Sequence, residues 1–192
     1  MNFSEYSKFT VECTTDYTPK FVEYVVDLCR DYGLHGKEKS KNYTPDRLRA
    51  NFQQGRFEYG FFIVKYDGNV VATFGVDRLD RWAVVSRYLR HTNSNILEPL
   101  AWGVCFPFVL DHLKDQIEGI CWTQNMDKRD LIGVGLRRFA KAQKQEQLHE
   151  VAAVYINKIQ KVPGTVMHRG IEQYAFFIPT SGTVPPFKQL QP

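Results

Sequence analysis

At 192 residues, with 43% hydrophobic and 24% charged residues, the chain is long enough to bury a proper core and is composed like an ordinary globular domain. Its net charge of +4 is too small to demand a nucleic acid or an acidic surface as partner. Cys13, Cys29, Cys105 and Cys121 form no C-x-x-C pair, and the five histidines lack metal-ligand spacing, which argues against a disulfide framework or a metal centre and for a reducing, cytoplasm-like compartment.

The opening residues MNFSE have neither the basic start nor the apolar core of a secretory signal. The longest apolar run, Pro99 to Leu110, is shorter than the roughly 20 residues a membrane helix needs, so no membrane partner is expected. Lys8 to Cys13 reads as a first strand. Thr18-Pro19 then resembles an N-cap with proline at the first helical position, and Phe21, Val22, Val25, Val26, Leu28 and Cys29 recur at helical spacing. A helix is therefore predicted from Pro19 to about Tyr32, with Gly33 as its stop. Gly36 to Lys41 is a charged, solvated loop. Thr44-Pro45 repeats the start signal and predicts a short helix from Asp46 to Gln54, ending at Gly55.

The clearest local signal is Asp67-Gly68, which accepts the positive φ values of a tight type I′ turn and joins strands Phe61 to Tyr66 and Val70 to Val76. Trp82 to Leu89, rich in β-branched and aromatic residues, is the next strand. Alternation puts Ala83, Val85, Arg87 and Leu89 on one face and Trp82, Val84, Ser86, Tyr88 and Arg90 on the other. Neither face is fully polar, so this strand is expected at the centre of a sheet. It gives way at the polar loop His91 to Asn95 to a helix from Ile96 to about Lys114, buried through Leu100, Trp102, Val104, Phe106, Phe108 and Leu110 and bent at Gly103 and Pro107. Where a strand feeds a helix, the unpaired helix N–H groups can hold an anion. Chemistry is expected at that junction.

Ile117 to Thr123 is another apolar strand, and Asp127 to about Gln145 a helix with Leu131, Ile132, Leu136, Phe139 and Ala140 inward. Glu146 to Ile159 continues in helical register through Leu148, Val151, Ala152 and Tyr155, as one helix with it, as a second, or in part as strand. Val162-Pro163-Gly164 stops that pattern, and Thr165 to His168 with Gln173 to Ile178 reads as a closing hairpin turning at Arg169-Gly170. Residues 1–180 are read as one domain and 181–192 as a proline-rich tail.

The order is strand, two helices, three mainly antiparallel strands, helix, strand, helix and two closing strands. It resembles the GNAT superfamily of acetyl-CoA-dependent N-acetyltransferases over most of residues 8–178. The local matches are FFIVKYDGNVVATFGV to that fold's second and third strands, RWAVVSRYLRH to its fourth, ICWTQN to its fifth and VPGTVMHRGIEQYAFFI to its closing pair. The resemblance implies a mixed α/β (α+β) fold with a mostly antiparallel sheet of about six or seven strands flanked by helices. It implies acetyl-CoA as co-substrate, held where the fourth strand splays from the fifth. Leu89, Arg90 and His91 would meet pantetheine, Thr92, Asn93, Ser94 and Asn95 the pyrophosphate, and Asn125 would help to hold the cofactor. His91, at the strand end, is the candidate catalytic base for a small-molecule or peptide amine, because imidazole titrates near neutrality. A homodimer is compatible with this reading.

The chain departs from the family in the pyrophosphate loop. No glycine lies between Gly75 and Gly103, although backbone without Cβ approaches phosphate most closely. Asn95 with Glu98 forms a capping-box-like start that sets a carboxylate against the anion, partly offset by Arg87, Arg90 and His91. A near-match, Arg129 to Gly135, has the wrong first gap and sits in a predicted helix. No tyrosine stands at Leu131 to Gly133 to act as general acid, and Tyr155 substitutes only if the helices shift. The loop favours an alternative, a GNAT-like fold without cofactor that serves in binding or assembly, similar to certain internal virion proteins of tailed phages. Nucleic acid binding through Arg78 to Arg90 is disfavoured, since strand alternation divides those basic residues between two faces. No G-x-S-x-G elbow, Walker loop or H-E-x-x-H helix is present.

Overall fold

The computed structural model describes residues 8–35, 44–91, 97–125, 158–168 and 171–187. In chain order these form β1 (Phe9–Thr14), α1 (Pro19–His35), α2 (Pro45–Gln53), β2 (Phe61–Tyr66), β3 (Asn69–Leu79), β4 (Trp82–Arg90), α3 (Leu97–Leu113), β5 (Gly119–Asn125), β6 (Gln160–Lys161), β7 (Val166–His168) and β8 (Ile171–Pro179). The strands make one eight-stranded sheet in the order β1-β2-β3-β4-β5-β8-β6, with β7 also on β8. Only β4 and β5 pair in parallel among the described strands. The extra strand relative to expectation is β6, which lies just beyond the predicted helical register. Since β5 occupies one edge of β8, β6 and β7 share the other, and the amide of Val162 still donates to Ala175 O at 2.9 Å. Val162-Pro163-Gly164 therefore interrupts a strand, since proline lacks the ladder N–H.

Turn chemistry explains the hairpins. Asp67 and Gly68 take φ values of 48° and 78°, as the type I′ turn requires. A second tight turn at Asp80-Arg81, with Asp80 at φ 52°, was not marked by glycine, and it carries β3 on to Leu79, past the expected end at Val76. Helix α1 runs through Gly33 to His35, because the roughly 1 kcal/mol a helical glycine costs does not end a helix anchored elsewhere by packing. Helix α2 begins as expected: Thr44 Oγ1 accepts the Arg47 amide at 3.3 Å, Pro45 occupies the first turn, and Gly55 follows at φ 67°.

The sheet is covered on both faces. Phe62, Phe74, Val76, Ala83, Val85, Ile120 and Trp122 pack under α3, while Phe57, Phe61, Ile63 and Leu89 pack under α1 and α2. Further along that second face, Trp82, Val84, Cys121 and Phe177 close over Phe187 of the tail. Helix α3 stays continuous through Gly103 and Pro107. Its buried residues are Ala101, Cys105, Phe106, Val109, Leu110 and Leu113, with Val104 and Phe108 only half-buried. The predicted inward set had a spacing of two, which no face of a 3.6-residue helix can present. The side chains of Leu100 and Trp102, and the predicted helix from Asp127, lie outside what the structure describes. No helix among the described residues is long and apolar enough to cross a membrane.

Candidate functional site at the parting of two strands

The one parallel pairing among the described strands is short. It holds Trp82 to Gly119, Ala83 to Ile120 and Val84 to Cys121, and then stops. Beyond that point β4 stays with β3 as far as Arg90, whereas β5 stays with β8 as far as Asn125. Two neighbouring strands therefore part, and each turns a ladder edge towards the gap. Backbone N–H and C=O groups on such edges need partners, which makes the gap a place for a ligand that can hydrogen-bond like a strand.

A bulge in β4 accompanies the parting. Thr73 faces Leu89 and Gly75 faces Ser86, so three steps on β4 match two on β3. The extra residue flips the alternation. Leu89 lands in the cluster under α1 and α2, not with Ala83 and Val85 under α3, which corrects the expected face. Just past β4, the amide of His91 donates to Val71 O at 2.9 Å. Since amides of an antiparallel strand point alternately to either side, the N–H of Arg90 turns away from β3 towards the gap.

His91 is held a second time by its ring, whose Nε2 lies 2.9 Å from Thr73 Oγ1. Thr73 is fully buried at 0% exposure, and Ser86 is buried close by with its hydroxyl 3.5 Å from Gly75 O. On the α1/α2 face next to the parting, two hydroxyls and a glycine thus stand beside Leu89. Phe57 forms the wall beside them. Phe57 has φ 66°, uncommon for a side chain of that size, and is pinned there: its amide donates to Asp77 Oδ1 at 2.9 Å, while its carbonyl accepts from the Gly60 amide at 2.8 Å and from the Tyr17 hydroxyl. Asp77 also pairs with Arg56 Nη2 at 2.5 Å. Burial holds the Tyr17 hydroxyl well above its ordinary range, with the Cys13 and Asp77 charges adding to the shift. Burial likewise lifts the Cys13 thiol from 9.0 to about 11, which removes it as a nucleophile near neutrality.

The remaining predicted residues divide. Leu89 is buried, and Arg90 and Asn125 stand at the open ends of β4 and β5. Thr92, Asn93, Ser94 and Asn95 lie outside the described residues, as do Arg129 to Gly135 and Tyr155. Thr73, Ser86 and Phe57 were missed. Thr73 had a signal, a lone hydroxyl inside the apolar run VVATFGV, but Phe57 had none. Trp122, the first β5 residue past the parting, has a buried indole Nε1 with no hydrogen-bond partner, alone in this among the described residues. A buried donor left so costs about 1–3 kcal/mol unless water or a ligand meets it. A cavity of about 240 Å³ is walled by Tyr17, Val22, Phe52 and the Glu23–Arg49 ion pair.

No family model matches the chain, and no curated protein matches it in sequence. Solved structures do. Ard1 from Thermoplasma volcanium superposes with TM-score 0.54 at 10% identity, over 91% of this chain and 99% of that one. The ribosomal-protein-S18-alanine N-acetyltransferase from Escherichia coli gives 0.53 at 8% identity, over 92% and 96%. A protein named as an acetyltransferase of the GNAT family, from Desulfovibrio desulfuricans, gives 0.51 at 9% identity, over 90% and 99%. At such identities the likeness defines architecture. The chain has the GNAT acetyltransferase fold.

Proposed function

We propose that this chain is an N-acetyltransferase that moves an acetyl group from acetyl-CoA to a primary amine of a small molecule or peptide, at the parting of β4 and β5. The observation that carries the reading is the gap itself, where β4 and β5 cease to pair with each other beyond Val84 and Cys121 on a GNAT fold. The residues present fit the group: strand-like donors and acceptors on β4 suit an amide-bearing arm.

Acetyl-CoA, when bound, supplies an acetyl group activated as a thioester. The amide of Arg90 would hold the pantetheine arm by its outward hydrogen-bonding capacity, with Asn125 on the opposite lip and residues 92–95 nearest the pyrophosphate. His91 would take the proton that the acceptor amine must lose, since an imidazole matches that task near neutrality. Buried Phe57, Leu89 and Thr73 keep water from the floor.

Calorimetric titration with acetyl-CoA and with CoA tests this. Micromolar affinity, about −8 kcal/mol, is expected. No heat at millimolar ligand would overturn the reading and leave a non-catalytic binding or assembly role for the fold. Asn125→Ala should weaken cofactor binding more than it lowers the melting temperature; the reverse would remove Asn125 from the site.

A further inference from the structure

We propose that the cavity of about 240 Å³ lined by Tyr17, the first turns of α1 and the last turns of α2 is a binding site for a small primary amine with an apolar stem. Such a site goes beyond the transferase reading and stands without it. Its lining has two halves. On the apolar half, the Tyr17 and Phe52 rings stand 4.9 Å apart at 58° to each other, with Pro19 and Val22 completing the wall. Aromatic faces carry negative charge density and attract a cation, while the aliphatic wall takes its hydrocarbon stem.

On the polar half, Arg49 is already committed. Its Nε and Nη2 donate to Glu23 Oε1 and Oε2, each at 2.8 Å, and its Nη1 donates to Asp46 Oδ1 at 3.1 Å. One guanidinium thus serves two carboxylates, and the trio keeps a net negative charge. Arg30, the next cation along α1, is itself paired with Asp27 at 2.8 Å. The hydrogen bonds from Arg49 hold Glu23 below the usual carboxylate range, so it stays ionised near neutrality. A carboxylate offers about four acceptor sites, and Arg49 takes one on each Glu23 oxygen, which leaves room for an ammonium. Helix α2 ends beside the cavity at Gln53 with no basic residue in its last turn, so the negative end of its dipole also favours a cation. An anion would find less. At the start of α1, Pro19 has no N–H, and Thr18 already takes the Phe21 amide on Oγ1 at 3.2 Å and the Val22 amide on its carbonyl at 3.0 Å.

Calorimetric titration of the full chain with three probes of similar shape tests this: phenethylamine, phenethyl alcohol and phenylacetate. The amine should bind at a single saturable site, with the alcohol and the anion weaker by about tenfold or more, as the loss of a charge-assisted hydrogen bond implies. Glu23→Gln should weaken the amine by a similar factor. Val22→Phe, which fills the apolar half and leaves every charge in place, should weaken it as well. No saturable heat with phenethylamine would overturn the proposal, as would equal affinity for the alcohol. Undiminished binding in both folded variants would place the amine elsewhere, the β4–β5 gap included, and would also overturn it. None of these measurements uses acetyl-CoA, so their failure leaves the transferase reading intact.

Discussion

Gly75 shows how closely single residues are fitted on the floor of the gap. A Cβ placed there would lie 2.0 Å from Phe57 Cδ1, and Phe57 cannot move aside because its peptide is gripped by Asp77, Gly60 and Tyr17. Gly75→Ala is expected to lower stability in urea by about 1–3 kcal/mol through overpacking. Gly182→Ala, where nothing lies within 4 Å, is the control and should change stability little. Equal effects would mean that Phe57 is loosely held. Little at this scale could be read from the chain. Gly75 and Phe57 are 18 positions apart in sequence, and only the pairing of β2 with β3 brings Phe61 opposite Gly75 and the preceding turn over it. Thr73 stood out as polar in apolar surroundings, yet its partner could not be named without the register.

Among the elements, β4 pairs with β3 along its length but, among the described residues, with β5 only as far as Val84. At the base of the parallel stretch Gly119 stands opposite Trp82. A Cβ on Gly119 would meet Ile178 O at 2.4 Å and the Trp82 ring at 2.4 Å. Because a backbone oxygen in a paired strand has nowhere to go, Gly119→Ala should strain β5 against β8 at Ile178 and against the Trp82 ring on β4. The expected loss is again about 1–3 kcal/mol, read by urea unfolding, and a loss within error of the Gly182→Ala control would show that the junction is compliant. The strands themselves were legible, as was the Asp67-Gly68 turn, because turn preference is local chemistry. The β4 bulge was not. It depends on a mismatch between two strands that no alternation within one of them reports.

For the molecule as a whole, the buried thiols make an alkaline limit. Burial lifts Cys13 to about 11 and Cys29 to about 12 from an ordinary 9.0, and pushes Cys105 and Cys121 up as well. Well below pH 9 all four are protonated in both folded and unfolded chains and stability is unaffected by them. Between pH 9 and about 12 the unfolded chain releases these protons while the folded chain retains them, so stability falls as pH rises. The urea midpoint should be flat with respect to these groups well below pH 9 and decline as pH rises through 9, and Cys29→Ala should shallow that decline. A decline of unaltered slope in Cys29→Ala would show that this thiol is not held back by burial.

The sequence by itself determined the class of architecture, the order of most elements and the junction between a central strand and a helix, because apolar periodicity, capping and turn preferences act over a few neighbouring residues. Tertiary structure alone decided where β4 and β5 separate, which face Leu89 takes, that β6 and β7 are pieces of one interrupted strand, and that His91 leans on Thr73. Those outcomes depend on register between segments distant in the chain, and register is set by how whole faces pack against α1, α2 and α3, a sum over many contacts that no single stretch contains.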